Sequence, residues 1–80
     1  MLIGYVSDER YVALCDVALE FERDGVTVAV VRSTPRGGVY ADLEPGPYRV
    51  TLAKDGFGPK SVEITVDSGE PYQFRLLSNR

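Results

Sequence analysis

Acidic side chains come closest to a catalytic arrangement in this 80-residue chain. Glycosidase-type hydrolysis needs two carboxyl groups about 5–10 Å apart in a cleft, one of them with a raised pKa. Three carboxylate pairs are close in sequence: Asp8 with Glu9, Asp42 with Glu44, and Asp67 with Glu70. All three fall where turns are expected, and carboxylates at turns are normally solvated, so we expect no catalytic pair among them.

The remaining reactive residue types are scarce. The chain has no histidine and one cysteine, Cys15, which excludes His-based triads, Cys–His dyads and His-containing zinc sites. Cys15 alone is a poor nucleophile, and we expect it to be a small buried apolar side chain. Gly37-Gly38 and Gly56-Phe57-Gly58 do not match phosphate-binding loops, and no series of acidic ligands suits calcium. The sequence predicts no catalytic, cofactor-binding or metal-binding residue, so the domain itself is not expected to be an enzyme.

Aromatic side chains are the better candidates for binding. The sequence pattern places four of them in the core: Tyr5, Tyr48, Tyr72 and Phe74. Phe57 falls in a loop, where we expect it to close one end of the fold, and Tyr40 and Tyr11 can point outward. An exposed aromatic ring can stack on a sugar or anchor a protein partner. Phe57, Tyr40 and Tyr11 are therefore the predicted partner contacts.

Composition limits the class of protein. Eighty residues suffice for one domain, here taken as 1–80. A net charge of −3 with dispersed Lys and Arg argues against nucleic acid as a partner. No run approaches the roughly 20 apolar residues that cross a bilayer, no signal peptide is evident, and one cysteine cannot form an internal disulfide. We therefore expect a cytoplasmic protein that binds neither nucleic acid nor membrane.

Alternation of apolar and polar residues dominates the second half of the chain. Three successive segments have a period of two, with apolar residues at 48, 50 and 52, at 62, 64 and 66, and at 72, 74 and 76. This period is typical of half-buried antiparallel strands. Earlier segments at 2–6, 26–32 and 39–43 also have strand character. The sequence predicts an all-β fold, a small antiparallel sandwich of about seven strands whose open edges could support a homo-oligomer.

Residues 8–24 fit two interpretations. Tyr11, Leu14 and Ala18 would align on one stripe of a helix that Gly25 could end. Alternatively, a loop precedes a strand with Val17, Leu19 and Phe21 pointing inward. Periodicity alone does not decide between them.

Turn motifs give the chain a resemblance to a known family. The opening Gly4-Tyr5-Val6-Ser7-Asp8, the Asp16-Val17 element and the hairpin Leu43-Glu44-Pro45-Gly46-Pro47-Tyr48 resemble the carboxypeptidase regulatory-like domains. The resemblance implies a transthyretin-like sandwich of seven strands and favours the strand interpretation of residues 16–22. Pro47 departs from the family pattern and removes a backbone donor.

The opening and the Glu-Pro-Gly segment are also similar to the N-terminal domain of large bacterial amidohydrolases of the N,N-dimethylformamidase type. This similarity implies a noncatalytic accessory domain within a longer chain, supporting the folding, assembly or partner association of a larger enzyme. The alternative is a free-standing module that binds carbohydrate or protein. The partner would accordingly be the rest of a larger protein, another subunit or an external ligand.

Overall fold

The fold consists of seven strands and no helix in the part of the chain that is described. The structure is a computed structural model that describes residues 2–67 and 71–78. Its strands are β1 Leu2–Ser7, β2 Ala18–Arg23, β3 Val26–Arg32, β4 Gly38–Ala41, β5 Gly46–Ala53, β6 Lys60–Val66 and β7 Tyr72–Arg75. The all-β sandwich of seven strands predicted from the sequence is confirmed. No helix within these residues is long and apolar enough to cross a membrane.

The strands form two sheets that face each other. One sheet has three strands in the order β4-β1-β7, and the other has four in the order β3-β2-β5-β6. Among the described strand pairs, β1 with β7 is parallel and the others are antiparallel. The parallel pair joins the two ends of the chain, which period-two patterns cannot reveal because they carry no information on strand direction.

The core lies between the two sheets and follows the predicted alternation. Leu19 and Phe21 on β2 face inward beside Val50 and Leu52 on β5, and all four are fully buried. The three-stranded sheet and the loops supply the opposing layer: Leu2, Val6, Leu14, Val17, Val39, Ala41, Leu43, Phe74 and Leu76. Phe57 and Tyr72 are partly buried and pack against this core. Burial of such side chains is the main stabilising contribution in a domain of this size.

The ambiguous segment before β3 is a loop followed by a strand, so the helical interpretation of residues 8–24 is wrong. The hairpin between β2 and β3 turns at Asp24 and Gly25, whose φ angles are 54° and 78°. Two consecutive positive φ angles are the requirement of a type I′ turn, which Asp-Gly satisfies. This turn ends β2 and brings β3 back along it.

Ser33 holds the loop that precedes β2. Its buried hydroxyl donates to the Leu14 carbonyl at 2.8 Å and accepts from the Val17 N–H at 2.9 Å. The neighbouring residue Cys15 is exposed, so the expectation of a buried Cys15 is wrong. Leu14 and Val17 are buried, and the bonds of Ser33 to their backbones hold the turn between them, which has a positive φ of 58° at Asp16 and leaves Cys15 and Asp16 in solvent.

The segment Glu44-Pro45-Gly46-Pro47-Tyr48 connects the two sheets, so its interpretation as a hairpin is wrong. β4 belongs to the three-stranded sheet and β5 to the four-stranded sheet. The Tyr48 hydroxyl donates to the Glu44 carbonyl at 2.7 Å and accepts from Nη1 of Arg23 at 3.2 Å. Since Pro45 and Pro47 have no N–H to donate to a ladder, the buried tyrosine fixes this crossing by a side-chain bond instead.

Gly4 on β1 provides a test of this packing. A Cβ at Gly4 would lie 2.8 Å from the Tyr72 carbonyl oxygen and 3.2 Å from the Phe74 ring. We expect Gly4→Ala to lower the free energy of unfolding by about 1–3 kcal/mol, as overpacking usually does. Gly58→Ala is the control, because a Cβ there meets no atom within 4 Å. Urea denaturation of the two variants measures the difference, and equal stabilities would contradict the proposed close approach of β1 and β7.

Candidate binding surface

Three tyrosines share the outer face of the three-stranded sheet. We call this surface the tyrosine face and define it by Ile3, Tyr5, Tyr40, Tyr11 and Arg75. The exposed fractions are 42% for Tyr5, 52% for Tyr40 and 72% for Tyr11. Large aromatic side chains of this exposure on one face are a recognised mark of binding surfaces.

Strand register places the central residues of this face side by side. Ile3 on β1 is opposite Tyr40 on β4, and Tyr5 is opposite Gly38 on β4. On the other side of β1, Ser7 is paired with Arg75 on β7. Since alternate residues of a strand point to the same side, Ile3, Tyr5 and Tyr40 form one continuous patch, with Arg75 farther along the strands.

The ring of Tyr40 lies over Gly38 rather than projecting into solvent. A Cβ at Gly38 would lie 3.0 Å from Cε2 of Tyr40 and 3.2 Å from its hydroxyl oxygen. An aromatic ring that covers a glycine on an edge strand shields its backbone and limits the motion of the ring. Because Gly38 is also opposite Tyr5, the Tyr40 ring extends the patch toward Tyr5.

Tyr11 is held in a loop of unusual backbone geometry. Its φ angle is 64°, a value that non-glycine residues rarely adopt. The Asp8 carboxylate supports this turn by accepting the N–H groups of Arg10 at 2.8 Å and Val12 at 3.0 Å. The Arg75 guanidinium lies 3.9 Å from the centre of the Tyr11 ring, within the range of a cation–π contact. The loop thus carries Tyr11 to the end of the face where Arg75 lies.

A second contact fastens the same loop to the segment after β7. Both carboxylate oxygens of Glu9 accept from Ser78, one from its N–H at 3.0 Å and the other from its hydroxyl. These bonds, with the Ser78 hydroxyl as the largest cause, lower the pKa of Glu9 from 4.5 to about 2. Glu9 is therefore a structural carboxylate that helps to hold Tyr11 near Arg75.

The structure separates the three predicted contact residues. Tyr40 and Tyr11 lie on the tyrosine face, as outward-pointing residues. Phe57 does not: it is partly buried against the core and borders an open groove of ≈ 480 Å³ on the four-stranded sheet. That groove places Arg32 and Lys54 beside Asp16 and Asp55, so it presents no uniform charge to a ligand.

Tyr5 was missed by the sequence prediction, which placed it in the core. It is exposed because Leu2, Gly4 and Val6 occupy the inward positions of β1. Alternation with Val6 and Leu2 was the signal that could have identified it. The aromatic character of the side chain suggested burial, but its position in the strand determines where it points.

The chemistry available here is that of recognition. The rings offer flat apolar surfaces with hydroxyl groups at their edges, and Arg75 adds a cation with several donors. Within residues 2–67 and 71–78, no group of three or more His, Cys, Asp or Glu side chains could hold a metal ion. Of the carboxylate pairs, Asp8 and Glu9 serve the loop as described, Asp42 and Glu44 are exposed, and Glu70 lies outside the described residues.

The role of Glu9 can be measured by its titration. In the folded protein, we expect the Glu9 carboxyl carbon to titrate near pH 2 in NMR spectra, and in Ser78→Ala to titrate closer to 4.5. Because the folded pKa is the lower one, the stabilisation is present above pH 4.5 and is lost as the pH falls toward 2. Glu9→Gln should therefore lose less stability than the parent in this range. Glu63→Gln, which changes an exposed carboxylate on β6, is the control, and identical Glu9 titration in parent and Ser78→Ala would refute the assignment.

Comparison with known proteins identifies the family to which the chain belongs. A search of curated proteins finds no match to the chain. Residues 24–79, well over half of the chain, match the PEGA domain. The match includes β3 to β7 and the crossing at Glu44–Tyr48, while Tyr5 and Tyr11 precede it. The chain belongs to the PEGA domain family.

Proposed function

We propose that this chain is a noncatalytic accessory domain that associates with a protein surface through its tyrosine face. The observation that carries the proposal is the exposure of Tyr5, Tyr11 and Tyr40 on one side of the three-stranded sheet. An exposed cluster of this kind has unfavourable contact with water and gains stability when a partner covers it.

The residue types suit a protein partner. Tyrosine and arginine are enriched among the residues that contribute most to protein–protein binding. Two of the rings are already positioned, Tyr40 over Gly38 and Tyr11 against Arg75. Rings held in place lose less conformational entropy when a partner binds, which favours affinity.

The partner in this proposal is the rest of a larger enzyme, either in the same chain or as another subunit. The similarity of the opening and of the Glu-Pro-Gly segment to N,N-dimethylformamidase-type proteins supports an amidohydrolase as that enzyme. The carboxypeptidase regulatory-like resemblance supports an accessory role in general. Cys15 is an exposed thiol without a second cysteine to pair with, which supports a reducing compartment such as the cytoplasm of a bacterium.

Hydroxyl-radical footprinting tests whether the face is covered in the native state. The domain alone and the intact assembly isolated from its native cells are labelled under the same conditions. We expect Tyr5, Tyr40 and Tyr11 to be labelled several-fold less in the assembly, because a partner excludes water from them. Val30 on β3 is exposed on the four-stranded sheet, away from the tyrosine face, and serves as the internal control. Equal labelling of the tyrosines in the two samples would contradict the proposal.

Substitution tests the contribution of single rings to the association. Tyr5→Thr keeps a residue that is favourable in strands and removes the ring, so the fold should be retained. We expect it to weaken association with the rest of the assembly about tenfold, as loss of a central aromatic contact usually does. Val30→Thr changes an exposed apolar side chain on the four-stranded sheet and should leave the affinity unchanged.

Carbohydrate binding is the second candidate, favoured by the adjacent positions of Tyr5 and Tyr40 on the sheet. Exposed aromatic rings can stack on sugar rings, and their hydroxyl groups can bond to sugar hydroxyls. Titration with cello-, xylo- and chito-oligosaccharides, followed by NMR, distinguishes the two functions. Shifts confined to the signals of these tyrosines would favour the carbohydrate; no shift, with protection in the assembly, favours the protein.

A further inference from the structure

Charged residues are distributed unequally between the strands of the two sheets. The carboxylates within the described strands are Glu20 and Glu22 on β2 and Glu63 on β6, so all of them belong to the four-stranded sheet. The strands of the other sheet, β4, β1 and β7, contain no acidic residue and one cation, Arg75. Although the chain has a net charge of −3, the strands that carry the tyrosine face therefore have a positive charge.

Arg75 lies within reach of a ligand that covers Tyr5. Arg75 is opposite Ser7 in the pair of β1 with β7, and Gln73 is opposite Tyr5. From the spacing of strands and the rise per residue, the Cα atoms of Arg75 and Tyr5 are about 8 Å apart. Gln73 and Arg75 are both exposed, and alternate residues share one side of a strand. One bound segment can thus contact the Tyr5 ring and the Arg75 guanidinium together.

The Tyr11 loop holds this guanidinium in place. Arg75 lies over the Tyr11 ring, 3.9 Å from its centre, and Tyr11 has a φ of 64°, a conformation that costs a bulky residue energy. The bonds that Asp8 and Glu9 accept stabilise the loop against this cost. A guanidinium stacked on a ring keeps the N–H groups along its edge available to a planar acceptor. The arrangement is therefore preorganised for an anion.

The carboxylates close to Tyr11 in the chain are engaged with other donors. Asp8 accepts from backbone N–H groups of its own turn, and Glu9 accepts from Ser78. Within residues 2–67 and 71–78, the ion pair found is that of Arg32 with Asp16, and none involves Arg75. The donors of Arg75 are accordingly not neutralised by a carboxylate of this part of the chain.

Charge complementarity indicates which kind of group suits this end of the face. An arginine binds a carboxylate through two parallel N–H···O bonds, which are stronger than neutral ones and more specific in geometry. Arg36, a second exposed arginine, precedes Gly37, whose carbonyl accepts from the Val6 N–H at 2.9 Å. The exposed Asp42 follows β4 at the other end of β1. An anion is thus attracted to the Arg75 end of the face and repelled from the Asp42 end.

We propose that the protein partner of the tyrosine face places an aspartate or glutamate side chain on Arg75, with an apolar side chain beside it on Tyr5 and Ile3. This inference rests on the proposed function and adds the chemistry that selects the partner. The carboxylate bonds to the edge of the guanidinium, whose face Tyr11 covers, and the apolar side chain removes the Tyr5 ring from water. A basic group at the same place would be repelled, so Arg75 also excludes partners with a basic surface.

Carbodiimide cross-linking tests the chemistry of this contact. Arg75→Lys keeps the cation and supplies an amine, which forms an amide with a carboxylate in direct contact while the carbodiimide takes up the water as a urea. In the intact assembly isolated from cells that carry the variant, mass spectrometry should find this amine joined to an Asp or Glu of the partner. Arg49→Lys, at an exposed arginine of the four-stranded sheet, is the control and should give no such link. Links to Glu9 of the same chain are identified in the isolated domain.

The outcome separates this inference from the proposed function. If the tyrosines are protected in the assembly and the Arg75→Lys amine joins no carboxylate of a partner, the inference is wrong and the proposed function stands. If the tyrosines are not protected either, both are wrong.

Affinity and its salt dependence provide a second measurement. Arg75→Gln should weaken association with the rest of the assembly at least about tenfold at low salt, because the carboxylate of the partner is left without its cation. Its binding should also depend less on salt than that of the parent. Arg49→Gln should associate like the parent. A tenfold loss in Tyr5→Thr with none in Arg75→Gln would show that the rings bind alone, which contradicts the role of Arg75.

An acidic sugar is the other source of a carboxylate for this site. NMR titration with a galacturonate trimer, with a neutral cello-oligosaccharide for comparison, examines it. We expect no shift of the Arg75 Nε–H signal with either sugar. A shift with the galacturonate trimer alone, together with tyrosines that remain unprotected in the assembly, would assign the site to carbohydrate and overturn the proposal.

Discussion

The close approach of β1 to β7 at Gly4 determines which side chains of β1 face the core and which face solvent. A side chain at this position would meet the Tyr72 carbonyl at 2.8 Å, so β1 can lie here only with glycine facing the core. Gly4 on the inward side places Leu2 and Val6 there as well, and it leaves Ile3 and Tyr5 on the outside. A slip of one residue would bury Tyr5 and expose Val6, because side chains alternate along a strand. The exposed position of Tyr5 is thus a consequence of packing on the opposite face of the same strand.

Much of the fold follows from local pattern. The alternation in residues 48–52, 62–66 and 72–76 corresponds to strands β5, β6 and β7. The strand interpretation of residues 16–22 is confirmed from Ala18 onward. The alternation pattern does not show which strands pair with each other. Pro45 and Gly46 indicate a change of direction, which serves a hairpin and a crossing between sheets equally well. The Tyr48 hydroxyl bond and the parallel pairing of β1 with β7 depend on contacts between distant or folded segments.

The tyrosine face, the candidate binding surface, was predictable from the sequence only in part, because local pattern shows which way a side chain points and not which strands are neighbours. Tyr40 alternates with inward-facing Val39 and Ala41, so its outward direction could be inferred from sequence. That Tyr40 and Tyr11 lie on one face depends on the pairing of β1 with both β4 and β7. Tyr11 is supported by Asp8, Glu9 and Arg75. A search of the sequence for catalytic residues considers Asp8 and Glu9 only as possible acids or bases. Two carboxylates that are adjacent in the chain therefore serve as acceptors that shape a loop.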